Sequence, residues 1–364
     1  MRCVPRPLFL RGVNVLRKFS AAGMAVAALF LLTSCDPPMP ESLRVELAER
    51  EVQCGDSYVD TYAFPEAFDM ADFWSSSMSI ACDDTMGLNP VEDPSQAQLV
   101  ISDASSSPCQ AYASVPVAVD AAAFALFLPE TYDFILSPKL ISEIYSGAIT
   151  NWSDPRIQEL NPLGLLPDLP IEVVPTANGG AIAAMETWLS SELGEEVDLG
   201  LTPEDYSEVD YLYEMPEGAL KLSTFSAIQI AGATFANMIT EEGNPDSLIQ
   251  LEVRAVQTAV GQTALTGSAP NLSFTYDPTI PAQPLPGQLQ VVTPWGAVFA
   301  TNLYLCGEDS LATRFAARYL LRLDAQGSIA NSVFSALVEN VRVAAIDVVD
   351  DGLPEVLIPE EAQS

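Results

Sequence analysis

The 364-residue chain has no histidine, and it carries only 15 Lys and Arg against 49 Asp and Glu. Without histidine, the commonest general base and the commonest metal ligand are missing. Ser-His-Asp triads, Cys-His dyads and His-ligated zinc are thereby excluded. G-x-S-x-G, S-x-x-K and G-x-x-x-x-G-K-[ST] are also absent, which removes the common serine hydrolases and P-loop nucleotide enzymes. A net charge of −34 repels phosphate backbones, so nucleic acid is not an expected partner. What remains points to no catalytic residue, no cofactor and no metal ligand, and a protein that is not an enzyme is expected. No apolar run near the N-terminus reaches the ~20 residues a spanning helix needs.

What is present is a compartment signal. Five cations (Arg2, Arg6, Arg11, Arg17, Lys18) and no acid lie within residues 1–34, followed by the apolar run Ala21–Ser34. That pattern reads as a secretory signal peptide. It ends in Leu32-Thr33-Ser34-Cys35, which resembles a bacterial lipobox, where a peptidase cuts before the cysteine and lipid, palmitate included, joins the thiol. Cys35 is therefore the expected lipidation site, and the mature protein is expected outside the cytoplasm, anchored to the cell membrane. Cys54, Cys82, Cys109 and Cys306 then remain, an even number in an oxidising compartment, and allow up to two disulfides in three connectivities. Their spacing holds no C-x2-C knuckle, which argues against zinc.

Along the mature chain, residues 35–50 are Pro-rich and charged and read as a tether. EVQCGDSYV, SMSIACDD and AQLVISDA read as strands, and Val115–Pro129, apolar without alternation, as a strand buried on both faces. Two short helices follow, each with a cap and Pro at the first position: Ser137-Pro138 opens one, and Ser153 or Asp154 with Pro155 the other. IEVVPTA is a strand, and Asn178-Gly179-Gly180 leads it into AIAAMETWLSSELG, a helix whose N-terminus is a natural anion site. Between 190 and 268 no single period emerges, and Ala269–Gln288 reads as a long crossing segment. WGAVFATNLYLC is a strand. SLATRFAARYLLRL is a helix with Leu311, Phe315, Tyr319 and Leu323 on one face, and SIANSVFSALVENV is a second. Asp83-Asp84 and Asp347, Asp350 and Asp351 are acids of the kind that hold a hard cation, but the latter group lacks the alternating spacing of a cation loop and reads as solvated surface. Trp152 and Tyr145 read as core, and Lys139 and Arg156 as surface partners of nearby acids. Strands alternating with helices give an α/β architecture.

The most informative stretch is Leu136–Ala181. In order it contains Gly147, Ile149, Trp152, Asp154, Pro155, Leu160, Asn161, Pro162, Leu166, Pro167, Pro170, Ile171, Val173 and Val174. It resembles the phosphate-binding protein of bacterial phosphate ABC transporters, with its G-x-I-x-x-W-x-D-P, L-N-P and L-P-x-x-P-I-x-V-V motifs. Ile101–Ser105 is similar to that family's S-D-A-P turn, and Phe64-Pro65 to its early T-F-P. The resemblance implies a two-lobed periplasmic-binding-protein-like (type II) fold of mixed sheets flanked by helices. Lobe 1 would comprise 51–127 and 291–346, lobe 2 128–290, with an acidic tail at 347–364. Crossover strands are expected near Val119–Pro129 and Leu289–Gly296. A small ligand would lie between the lobes against Phe64, Ser102, Asp103, Asn178, Gly179 and Gly180, delivered to an ABC permease. With Cys54 and Cys82 in or near the first two strands, Cys109 after the third and Cys306 ending the returning strand, the expected pairs are Cys54–Cys82 and Cys109–Cys306.

The departures bear on the ligand. The family's anion loop carries Arg, Asp and hydroxyl donors, and the equivalents here are Thr176, Asn178, Gly180 and Ile182, with Ala63 for the early Thr. Asp103 persists; in the family it accepts a proton from monobasic phosphate, but it also reads as a helix cap here. Arg254 is the candidate replacement cation from the second lobe. A relative of the same fold that binds nothing and serves as an accessory or sensing lipoprotein is the alternative.

Overall fold

A computed structural model describes residues 52–353 apart from 105, 130, 205 and 352. The expected signal peptide, Cys35, the tether and most of the acidic tail lie outside the described residues. Strand β1 (Val59–Ala63) passes through a 3-10 turn, Pro65–Ala67, into α1 (Phe68–Ala81); β2 (Leu88–Pro90), β3 (Leu99–Ser102) and β4 (Ala111–Leu126) follow. Next come β5 (Phe134–Leu136), α2 (Pro138–Tyr145), α3 (Pro155–Leu160), β6 (Glu172–Val173) and α4 (Gly179–Leu193). Then α5 (Glu208–Tyr213), β7 (Ala219–Thr224), α6 (Phe225–Ala231), β8 (Ala236–Ile239), β9 (Leu248–Ile249) and α7 (Val253–Val260) lead to the hairpin β10 (Thr263–Ser268) and β11 (Asn271–Tyr276). The chain closes with β12 (Val298–Cys306), α8 (Leu311–Leu320), α9 (Leu323–Ser328) and α10 (Glu339–Asp350).

The main sheet runs β10-β11-β4-β12-β3-β1-β2, and a three-stranded sheet, β5-β8-β9, stands apart. Pairing is mixed: β1 is parallel to β2 and β3, whereas β12 is antiparallel to β3 and β4. Strand β4 is the spine. Its Ala111–Ala121 portion pairs with β12, and Ala122–Leu126 pairs with β7, so one strand serves two sets of neighbours. That double duty explains its unbroken apolar sequence, because both faces are covered.

Local grammar accounts for the helices around the resembling stretch. Ser137 Oγ accepts from the Leu140 N–H at 3.1 Å to open α2, and Asp154 Oδ1 accepts from the Arg156 N–H at 2.9 Å to open α3. Helix α4 ends at Gly194, which sits at φ +69° where a side chain would be strained. Trp152 is fully buried, its Nε1 donating to the Gly218 carbonyl at 2.8 Å. Tyr145 packs on Phe124 and is less enclosed, and Arg156 joins Asp154 and Glu143 at the surface.

Several expectations are corrected. SMSIACDD is no strand; it is the end of α1, whose Met70, Ala71, Trp74 and Met78 form a buried helical stripe. Leu289–Gly296 forms no crossover strand, and Leu289 and Val291 are exposed rather than paired. The 269–288 segment is not all connection, since β11 lies within it and extends the main sheet beside β4. Hairpin β10-β11, expected in lobe 2, thus joins the sheet of β1, β3 and β12. The final helix starts at Glu339, not at Ser328, and Ser335, within the expected helix, instead bridges to Val119. It runs to Asp350, into the expected tail, because Val348 and Val349 are buried. On α8 the buried residues include Thr313, Ala316, Ala317, Leu320 and the expected Tyr319. Of the other expected face residues, Leu311 is 51% exposed, and Leu323, which opens α9, is 48% exposed.

Both expected disulfides are present, Cys54–Cys82 and Cys109–Cys306. The first reaches Cys82 at the C-terminus of α1 instead of a second strand. Among the described residues no helix is long and apolar enough to cross a membrane. No group of three or more His, Cys, Asp or Glu among them is placed to hold a metal.

Candidate functional site

Loops at the carboxyl ends of the parallel neighbours β1 and β3 lie together, the usual place for a ligand in an open α/β sheet. They carry Phe64 to Glu66 and Ser102 to Asp103. Against them stand the turn into α4 and the segment before α5. The cleft between has a volume of about 570 Å³ and is lined by Tyr62, Phe64, Pro65, Glu66, Ser102, Asp103, Ala177, Asn178, Pro203, Glu204, Tyr206, Ser207 and Glu208.

Four of the six expected ligand residues meet there: Phe64, Ser102, Asp103 and Asn178. Phe64 is buried edge-on against Phe334. Ser102 Oγ accepts from the Ala104 N–H at 3.1 Å. Asp103 caps no helix, since a loop and then β4 follow it; its carboxylate instead accepts from Asn178 Nδ2. Asn178 does cap: its Oδ1 accepts from the Ala181 N–H at 2.8 Å, so one N–H of the α4 terminus is already spent. Gly179 and Gly180 begin that helix but are not among the residues lining the cleft. A Cβ at Gly180 would come within 3.1 Å of the Asp103 carbonyl oxygen and 3.0 Å of Phe299, so a side chain there would have to push its neighbours aside by a few tenths of an ångström. Gly180 borders instead a smaller recess of about 260 Å³ behind Asp103.

Electrostatically the cleft is acidic. Burial, then the charges of Glu66 and Asp120, push Asp103 up to about 8, so at neutral pH it is chiefly a neutral acid. Burial also raises Glu66, reinforced by Glu208 and Asp210, while its own backbone N–H works the other way. Behind them Asp120, buried on β4, is raised by burial to about 7, although it accepts from Ser226 Oγ and the Ala121 N–H. No Lys or Arg is among the lining residues. Arg254 does not supply the missing cation: it lies exposed on α7 and pairs with Glu252 at 3.2 Å.

Sequence reasoning missed the Glu208 network. Glu208 Oε1 accepts from Thr176 Oγ1 at 3.0 Å and from the Ala177 N–H. Its Oε2 accepts from Ser223 Oγ at 2.8 Å and pairs with Lys221 Nζ at 2.9 Å. Lys221 also donates to the Pro175 carbonyl and Tyr206 Oη, and lies over the rings of Tyr206 and Tyr211. The available signal was a lysine inside the apolar strand ALKLST, a charge that cannot be buried without a partner.

The fold is similar to solved phosphate-binding proteins. An ABC-type phosphate transport receptor from Vibrio cholerae is 13% identical, with a TM-score of 0.39 over 76% of this chain and 99% of that one. A high-affinity periplasmic phosphate-binding protein (PfluDING) bound with phosphate is 12% identical, with a TM-score of 0.48 over 79% and 92%. A human phosphate-binding apolipoprotein is 13% identical, with a TM-score of 0.47 over 79% and 93%. No family model matches the chain, and no curated protein matches it.

Proposed function

We propose that this chain is an extracytoplasmic, lipid-anchored solute-binding protein. It takes a small ligand into the cleft at Asp103 and Asn178 and presents it to an ABC permease. Lobe 1 (51–127 with 291–346, to which β10-β11 is added) and the rest of 128–290 would close on that ligand. The observation that carries the reading is the convergence of four separate segments on one cleft of about 570 Å³. The motif series Leu136–Ala181 and the signal ending in Cys35 support it.

The ligand is not expected to be tightly held phosphate. A buried oxyanion needs converging charge-assisted donors, each worth about 1.5–3 kcal/mol. Here the loop arginine is replaced by Thr176 and two hydroxyls by Gly180 and Ile182. Losing two contacts costs about 3–6 kcal/mol, which moves a micromolar binder to between about 0.1 and 20 mM. Calorimetry on the domain lacking the signal and Cys35 should find no micromolar phosphate binding; a dissociation constant at or below micromolar overturns this. The same domain screened by thermal shift against sulfate, molybdate, sugars and amino acids tests solute binding as such. If nothing shifts, the alternative of an accessory or sensing lipoprotein takes its place. The capture of the loop donors by Glu208 favours that alternative.

Anchoring is tested separately. Cys35→Ser should release the protein from membranes or leave an uncleaved precursor. Intact mass showing an unmodified N-terminus at another residue rules out the anchor.

A further inference from the structure

The donors around Glu208 come from elsewhere in the chain. Thr176 Oγ1 and the Ala177 N–H belong to the turn before α4, and Lys221 Nζ and Ser223 Oγ to β7. These four donors saturate a carboxylate, which offers about four acceptor positions. Thr176, Lys221 and Ser223 are themselves almost wholly buried, and Lys221 is held by the Pro175 carbonyl and Tyr206 as well. None of the four donors is contributed by α5, whose first turn is capped separately by Ser207 accepting from the Asp210 N–H. Helix α5 merely delivers the acid into a cage built by other elements.

We infer that this cage is a small-carboxylate binding site, and that Glu208 occupies it as an internal ligand. The chemical class it takes is a monocarboxylate such as acetate, with one negative charge and two oxygens for the four donors. Its occupation explains why the turn before α4 offers the neighbouring cleft no free anion donor at Thr176 or Ala177. The inference deepens the reading of that cleft by naming what fills its donor loop. It does not depend on a solute being found, because its readout is the stability of a variant and not capture of an external solute by the native protein.

Glu208→Ala tests it, because the atoms removed beyond Cβ are those of acetate. In that variant, acetate should raise the Tm with the logarithm of its concentration, by roughly 3 °C or more at a tenfold excess over its dissociation constant. Formate should act similarly. Sodium chloride at matched ionic strength and the neutral isostere acetamide should do nothing comparable, and the native protein should not respond to acetate. If acetate, acetamide and chloride act alike on Glu208→Ala, the site is not a carboxylate cage and the inference falls. If Glu208→Ala is recovered unfolded, its refolding yield is measured in acetate and in chloride. Recovery in acetate alone supports the cage, and no recovery in either overturns it.

Discussion

Removing the Cys109–Cys306 disulfide as a pair, Cys109→Ala with Cys306→Ala, should lower the unfolding free energy by on the order of 5 kcal/mol. The bond joins residues 197 apart in sequence, whereas Cys54–Cys82 spans 28. A cross-link acts chiefly on the unfolded chain, and the entropy it removes grows with the logarithm of the loop. The shorter loop should therefore be worth on the order of 3 kcal/mol, and the ranking is the sharper prediction. Structure adds a reason for the longer bond to matter. Cys306 ends β12 opposite Ala111 at the start of β4, the central pairing of the main sheet. Tying those strand ends leaves their register nothing further to search for. Equilibrium urea unfolding reports the result through four buried tryptophans, Trp74, Trp152, Trp188 and Trp295. Equal losses for the two bonds, or a loss under about 1 kcal/mol for the longer, would contradict the loop argument.

How much could be read in advance depended on the range of the interaction. Ser137-Pro138 and Asp154-Pro155 were legible because a cap and its target lie within three residues, and the helices begin where the residue types say. Asn178 was legible as a turn for the same reason. The stretch from 219 to 239 was not, since β7, α6 and β8 are six, seven and four residues long, too short for a period to show. SMSIA was misread because five apolar or small residues fit a strand as well as a helix end, and length alone decides. On α8, large apolar residues suggested one face, of which Tyr319 is buried, while the packed side also takes in the small Ala316 and Ala317. Within the site, Phe64, Ser102, Asp103 and Asn178 came from motif order. Glu66 and Glu204 carry no local mark, and Glu208 meets donors 13 to 32 residues away. Such a cage has no fixed spacing, so only its buried lysine announces it.

That lysine carries the second large effect. Lys221→Met should destabilise the protein by about 3–5 kcal/mol, because it leaves a buried carboxylate without its cation. Lys221 has no exposed side-chain surface and Glu208 has 5%, so water cannot replace the ammonium. Methionine fills the space of the lysine stem, which isolates the charge from the packing. The Pro175 carbonyl is spared, since Tyr206 Oη still donates to it at 2.6 Å. The loss should therefore be traceable to Glu208. Adding Glu208→Gln removes the stranded charge: the amide oxygen can still accept from Thr176 and Ala177, and its N–H2 can donate to Ser223 Oγ. The double variant should recover most of the stability, to within about 1–2 kcal/mol of the native protein, because a neutral amide held by Thr176, Ala177 and Ser223 escapes the desolvation cost of a stranded charge. Urea unfolding of the two single variants and the double variant closes the cycle. A midpoint shift at unchanged m-value assigns the change to stability, with no change in the compactness of either state. If Lys221→Met costs less than about 1 kcal/mol, or if the two substitutions simply add, the ion pair is not what holds the turn before α4 against β7.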